Sequence, residues 1–401
     1  MEMISKSMQA LLSQNSVIRA MFEEGERLRG EYGSDKVYDF SLGNPIVQAP
    51  AEVEQAIREV LAEEPSVSVH GYMNNAGFAD LRAAIADSLQ ERFGFTYRAD
   101  QLIMTTGAAA ALNILLKTVL NPGDEVLTFA PYFSEYKNYV QNYGGVLRLV
   151  ATDSETFLPD LDALRVAIGE KTRALILNTP NNPSGVVYSE EVLRGIQAVL
   201  AEKEREFGSC ILVISDEPYR ELVYDGAMVP WIPALMPHAA VVYSYSKTLS
   251  LPGERIGWLL LPDSIPEARE LYAAAVIANR ISGFVNAPSL MQRVLKRTLG
   301  CRADFSVYEH NRALLLRELP KMGYRLVKPE GAFYLLIQAP EGDDAAFAAT
   351  LKEERILTVP CKSFACPGYV RLAYCVAETT VRNALPGFRR TAESYKAKGL
   401  L

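Results

Sequence analysis

The sequence is poor in the features that mark membranes, secretion and metal centres. No run approaches the ~18 uninterrupted apolar residues of a membrane span. The N-terminal stretch MEMISKSMQALLSQNS carries Glu2 and polar residues throughout, so it lacks the apolar core of a signal peptide. Five cysteines, an odd number without a CxxC pair, suggest neither a disulfide framework nor a zinc site. Cys361 and Cys366 are close in sequence, but no His accompanies them. Free or buried thiols, no metal, and a soluble cytoplasmic chain are the expectations. GxGxxG and GxxxxGK[ST] are both missing, which argues against a dinucleotide fold or a nucleoside-triphosphate loop. Repeats, low-complexity tracts and linker-like segments are absent too.

What is present is a globular composition. Of 401 residues, 49% are apolar, enough for a large core in two or three domains. Asp and Glu outnumber Lys and Arg by 48 to 41, for a formal charge of −7. That balance argues against nucleic-acid and anionic-membrane partners, though it says nothing of individual pockets.

The middle of the chain alternates short β-branched runs with longer helical patterns. Strands are predicted at Leu102–Thr106, Glu125–Phe129, Val146–Val150, Arg173–Asn178, Ile211–Ser215, Val241–Ser244 and Ile256–Leu261. The first five are nearly continuous apolar runs, as in strands covered on both faces. Helices are predicted at Ala108–Leu120, Tyr132–Tyr143, Leu161–Glu170 and Glu190–Phe207. This is a βαβ series, hence an α/β fold with a mostly parallel sheet sandwiched by helices. The last two strands are too close for a helical crossover, so the seventh is expected to run antiparallel. After Pro288 the pattern becomes a long helix (Leu290–Leu319), a hairpin (Tyr324–Val327 with Ala332–Gln338) and strands at Ile356–Val359 and Tyr369–Tyr374. The helix at Val17–Arg29 and the extended Val37–Leu42 have no core of their own. The predicted organisation is a large domain over residues 50–288 and a smaller α+β domain built from 1–49 and 289–401.

In an open parallel sheet, ligands bind beyond the carboxyl ends of the strands. After the first strand, Thr106-Gly107-Ala108-Ala109 opens a helix, serving either close packing or a phosphate at the helix N-terminus. Asn178–Gly185 (NTPNNPSG) follows the fourth strand, as a turn cluster or a rigid polar loop against a ligand. Asp216 follows the fifth, as a helix N-cap or as an anion for a cationic ligand group. Lys247 follows the sixth, with Arg255 eight residues on; a lysine here is solvated, or neutral and reactive. Five such features at one sheet edge outweigh the separate structural explanations. A phosphate binder, a partner for a pyridinium nitrogen and an imine-forming lysine are what pyridoxal phosphate requires.

Those residues stand in motifs that resemble the class I/II aminotransferases, the pyridoxal-phosphate enzymes of the aspartate aminotransferase type (fold type I). The motifs are LGNP at 42–45, GYMNNAG at 71–77, TTGAAAAL at 105–112, PYFSEY at 131–136, NTPNNPSG at 178–185, DEPY at 216–219, SYSKTLSLPGERIG at 244–257 and VRLAYC at 370–375. The likeness runs from Leu42 to Tyr374.

The resemblance implies a Schiff base between Lys247 and the cofactor, with Lys247 later moving the substrate proton. It also implies Asp216 at the pyridine nitrogen, Tyr219 and Asn182 at the ring 3-oxygen, and Phe133 stacked on the ring. The phosphate would be held by Ala108, Ala109, Ser244, Ser246 and Arg255, with Tyr72 arriving from the second subunit of a homodimer. Arg371 and Gly43, with Asn182, would bind the substrate. A cis Asn182–Pro183 bond is a further expectation. The implied reaction is transamination between an L-amino acid, aspartate-type donors favoured, and a 2-oxo acid. Alternatives on the same fold are a β-lyase or an aminocyclopropane-carboxylate-synthase-like enzyme, and more remotely a non-catalytic ligand-sensing domain. Arg280 and Arg19 are candidates for a distal carboxylate, each equally open to a structural role.

Overall fold

The computed structural model describes residues 3–13 and 17–401. Its largest sheet has seven strands: β1 (Leu102–Thr105), β2 (Glu125–Phe129), β3 (Val146–Val150), β4 (Thr172–Asn178), β5 (Leu212–Asp216), β6 (Ala239–Ser244) and β7 (Gly257–Leu260). Across the sheet they run β1-β7-β6-β5-β4-β2-β3. The pairs β2–β3, β2–β4, β4–β5 and β5–β6 are parallel. β7 runs against both of its neighbours, β1 and β6, as its short connection to β6 requires. Helices Ala108–Val119, Glu135–Gln141, Leu161–Ala167 and Glu190–Phe207 supply the crossovers.

The sequence pattern accounts for most of this. β1, β5 and β6 are buried along their whole length, as continuous apolar strands should be. Helix Glu190–Phe207 starts where the Ser189 side chain accepts from the Val192 amide. It buries Leu193, Ile196, Val199 and Leu200 along one face, at helical spacing. β3 differs from expectation. It is the sheet edge, and Val146 and Leu149 are exposed despite the apolar run. Composition cannot distinguish an exposed edge strand from a covered one here: β1, an apolar run at the opposite edge, is buried throughout.

The chain divides into two compact units, Val47–Phe305 with Glu330–Ala332, and Met1–Ile46 with Ser306–Pro329 and Phe333–Leu401. The first carries the large sheet. The second holds a four-stranded antiparallel sheet in the order Val359–Pro360, Tyr369–Ala373, Tyr334–Gln338, Leu326–Val327. Tyr38–Asp39 pairs in parallel with Ile356–Leu357 in the same unit. The single helix predicted over Leu290–Leu319 is two, Ser289–Thr298 and Ser306–Met322, separated where Gly300 takes φ +88°. This moves the domain boundary expected at 289. Met291, Val294 and Leu295 of the first helix join Val53, Val60 and Leu89 in the core of the large-sheet unit. Among the described residues, no helix is long and apolar enough to cross a membrane.

Candidate active site

One edge of the large sheet gathers the polar residues that follow its strands. The register sets Asn178 beside Asp216, and Ser244 and Thr105 on either side of Gly257. The carboxyl ends of β1, β4, β5 and β6 therefore meet the amino end of β7, which brings Arg255 to the same edge.

Asp216 ends β5 and is buried. No helix follows it, so the N-cap alternative falls. The Tyr136 hydroxyl donates a short hydrogen bond to its Oδ2, while its Oδ1 is buried with no hydrogen-bond partner. Burial pushes the carboxyl up to about 7, with the Tyr136 hydrogen bond acting against it and the neighbouring Glu217 adding to the rise. A buried carboxylate with one unmet oxygen is costly, unless a cationic donor faces it. Glu217 has the opposite fate. It forms a buried ion pair with Arg220 and accepts from Ser215 Oγ at 2.7 Å, so its charge is already matched.

Asn178 links the loop to the sheet. Its Nδ2 donates to the Asp216 carbonyl at 3.0 Å, and its Oδ1 accepts from the Asn182 amide at 2.8 Å. Asn182 and Tyr219 are buried. The Asn182–Pro183 bond is cis, in agreement with expectation. Phe133 meets Tyr136 edge-on, ring centroids 5.5 Å apart at 85°, which packs the tyrosine toward Asp216.

At the β1 end, helix Ala108–Val119 begins after Gly107. The Ala111 amide is bonded to Gly107 O, whereas the amides of Ala108 and Ala109 belong to the first turn and have no acceptor within the helix. Gly107 has φ +85°, and a Cβ there would lie 3.1 Å from Arg255 Nη2. Arg255 is itself held in the left-handed region at φ +50°. Its Nη1 donates to Pro252 O at 3.1 Å and its Nη2 to Thr106 O at 3.4 Å. Ser244 caps the short helix Tyr245–Thr248, accepting from the Ser246 amide and donating to Ser246 Oγ at 2.8 Å. Lys247 stands half-buried within that turn. Small residues, a cation, hydroxyls and first-turn amides together make an anion cradle.

These features match a known family over most of the chain. The family model for class I and II aminotransferases matches residues 35–387. This chain belongs to that family. It is 32% identical to the aspartate/prephenate aminotransferase of Thermus thermophilus over 357 residues, 87% of this chain and 89% of that one. It is 31% identical to the aspartate aminotransferase of Thermotoga maritima, covering 95% of both. A crystal structure of an aminotransferase from Eubacterium rectale superposes with a TM-score of 0.96 at 44% identity, covering 98% of this chain and all of that one. The protein is a pyridoxal-phosphate-dependent aminotransferase of fold type I, and the lyase, synthase and ligand-sensing alternatives are not favoured.

Two observations of the aminotransferase fit that cofactor. The orphaned Asp216 Oδ1 lacks a cationic donor, which a protonated ring nitrogen is. The first-turn amides beside Gly107 and Arg255 have no acceptor within the helix, and a phosphate would supply one. Sequence reasoning assigned no role to Tyr136 or Asn178, although both stand in motifs it singled out. No spacing within PYFSEY pairs Tyr136 with Asp216, which lies 80 residues on; the fold alone brings them together.

The remaining candidates lie elsewhere. In the second unit Arg371 is buried, with its guanidinium 4.6 Å from the Tyr334 ring centroid and 4.8 Å from that of Phe364, and Nη2 donates to Ser41 O at 2.9 Å. Gly43 in the same unit lies so close to Tyr334 that a Cβ would sit 2.1 Å from its hydroxyl. Tyr72 is 93% exposed and lines a cavity of about 260 Å³ with His70, Met73, Phe284 and Asn286. Arg280 lies in the last turn of helix Ala268–Ile281 and is exposed. The side chain of Arg19 lies outside the described residues.

Proposed function

We propose that this aminotransferase moves an amino group from an acidic L-amino acid, aspartate foremost, to a 2-oxo acid, with Lys247 as the attachment and proton-transfer residue. The observation that carries the placement is the buried Asp216 carboxylate with its unmet Oδ1. When bound, pyridoxal phosphate supplies an electron-withdrawing ring that stabilises the charge left at the substrate α-carbon. Asp216 Oδ1 holds a proton on the ring nitrogen, and the Tyr136 hydroxyl keeps that carboxylate in place. Asn182 and Tyr219 would donate to the ring oxygen, and Phe133 would pack against the ring. The amides of Ala108 and Ala109, with Ser244, Ser246 and Arg255, bind the phosphate. Lys247 Nζ would take the proton from the substrate α-carbon and deliver it to the cofactor carbon on the other side of the amino nitrogen, two bonds away.

Arg371 binds the substrate α-carboxylate through its planar guanidinium, a geometry a lysine does not reproduce, and Gly43 contributes its amide. We assign Tyr72 to the phosphate site of a second copy of the chain, its almost complete exposure in a single copy being consistent with that role. A homodimer follows from this assignment, and a cytoplasmic location from the free cysteines. The preference for aspartate rests on the names of the Thermus and Thermotoga relatives.

A panel of acidic, aromatic and neutral amino donors against 2-oxoglutarate and pyruvate tests the assignment. Aspartate should give the highest kcat/KM, and the donor half-reaction alone should release one equivalent of oxo acid per site. A neutral or aromatic donor outpacing aspartate would refute the specificity. Continuous ammonia release without an acceptor would refute the reaction.

A further inference from the structure

At the edge of the large sheet away from Asp216 and Lys247, three unlike side chains converge. Glu204 lies in the last turn of helix Glu190–Phe207, Cys210 in the loop that leads into β5, and His238 immediately before β6. Cys210 Sγ is 3.2 Å from His238 Nδ1, and that same nitrogen is 3.0 Å from Glu204 Oε1. One ligand atom from each residue falls within 4.8 Å of the other two. We propose that Glu204 Oε1, Cys210 Sγ and His238 Nδ1 form a three-ligand site for a zinc-class divalent cation, with water in the fourth position.

Four aspects of the geometry support this. First, both neighbours touch the same ring nitrogen, so the cluster is not a Cys–His–Glu relay, in which opposite sides of the imidazole would be used. Second, Cys210 and Glu204 also interact with each other, so each of the three ligand atoms faces the other two around one point that a cation would serve. Third, zinc bonds of ~2.0–2.3 Å in a tetrahedron put donor atoms ~3.3–3.7 Å apart, so the two spacings at Nδ1 need to open by only about 0.5 Å or less, and the third pair, Sγ and Oε1, lies within 4.8 Å. Fourth, the carboxylate is already oriented, since the Ile211 amide donates to Glu204 Oε1 at 2.8 Å, and exposed Cys210 leaves an entry path.

A thiolate, an imidazole and a carboxylate together favour zinc over magnesium or calcium, which take oxygen ligands. Binding releases the Cys210 thiol proton to solvent as the sulfur–metal bond forms, so no redox partner is needed. Cysteine spacing alone gave no hint of the site, because its ligands are widely separated in sequence. A bound ion would tie the C-terminus of one helix to the starts of β5 and β6, whose far ends carry Asp216 and lead to Lys247. His238 already anchors that junction, its carbonyl accepting from the Val213 amide at 2.9 Å.

The test is zinc titration of the purified holoenzyme against a competing chelator, followed by cobalt(II) substitution. Wild type should bind one zinc ion per chain at this site. Cys210→Ser and His238→Ala should each weaken binding at least ~100-fold, and Glu204→Gln at least ~10-fold. Cobalt should give a thiolate-to-metal charge-transfer band in wild type and none in Cys210→Ser, with transamination unchanged in that variant. The surface position of Cys210 keeps the Ser variant decisive even where the His238 variant fails to fold. The proposal is overturned if zinc is not bound, if binding survives Cys210→Ser, or if the cobalt–thiolate band persists there and so belongs to another thiol.

Discussion

The Tyr136 hydroxyl donates to one oxygen of Asp216 and leaves the other oxygen buried and unmatched. The carboxylate is thus half satisfied by the protein, and its free half is shaped for a cationic ligand. Removing the hydroxyl tests the relationship. Tyr136→Phe should push the Asp216 carboxyl still higher, since this hydrogen bond is what opposes the effect of burial. A hydrogen bond to a charged group contributes ~1.5–3 kcal/mol, so cofactor affinity near neutral pH should fall ~10- to 100-fold. Affinity should partly recover as pH rises, which absorbance titration of the apoenzyme with pyridoxal phosphate would read. Unchanged affinity would mean that the hydroxyl does not tune Asp216.

Asp216 also links stability to pH. An unfolded Asp titrates near 3.9, whereas burial raises the folded carboxyl to about 7. The folded apoenzyme therefore binds this proton more tightly than the unfolded chain. The group's contribution is most favourable below about pH 4 and is lost as pH rises to about 7, by an amount on the order of a few kcal/mol. Asp216→Asn has no such titration. The apo variant should gain thermal stability relative to apo wild type across that window, while losing cofactor affinity and turnover. Parallel pH profiles of the two melting temperatures would remove Asp216 as the source.

Lys247→Ala should fold and still hold pyridoxal phosphate through the anion cradle, without covalent attachment. If Lys247 has the proposed role, the absorbance of the attached cofactor should vanish, and kcat should fall by at least ~10³ with loss of the proposed proton-transfer group. Spectra before and after borohydride reduction separate the two effects. Reductive labelling at another lysine would move the assignment.

Gly43→Ala places a Cβ where the Tyr334 hydroxyl now sits, so that ring must shift. Tyr334 packs against the Arg371 guanidinium, and the disturbance should therefore reach the proposed carboxylate site. KM for the amino acid should rise about tenfold, a change of ~1.4 kcal/mol, with a smaller effect on kcat. Equal affinity for amino-acid substrates in both proteins would argue against Gly43 and Arg371 as substrate ligands.

The sheet was legible because its strands are continuous apolar runs that end in small or polar residues. The same punctuation marked Asp216, Lys247 and Arg255 as candidates, since ligands gather at strand ends. Three things were not legible. β3 carries the composition of a covered strand yet lies at the sheet edge, because strand order is set by crossovers and not by local pattern. The helical periodicity after Leu290 continues across Gly300, but the backbone breaks there and the two halves join different cores. Tyr136 meets Asp216 across a gap in sequence that only the fold closes, and no spacing rule pairs a helical tyrosine with a strand-end aspartate.

The pairing of Tyr38–Asp39 with Ile356–Leu357 has a consequence for synthesis. When the first of these strands leaves the ribosome, its partner is still uncoded in peptide. At ~5–20 residues per second the wait is tens of seconds, during which all of the large sheet emerges. The early segment must stay unpaired through that interval, and its unit closes only after the sheet that carries the proposed cofactor site is complete. A nascent chain halted before Ile356 should therefore contain an ordered sheet and a protease-sensitive N-terminal arm.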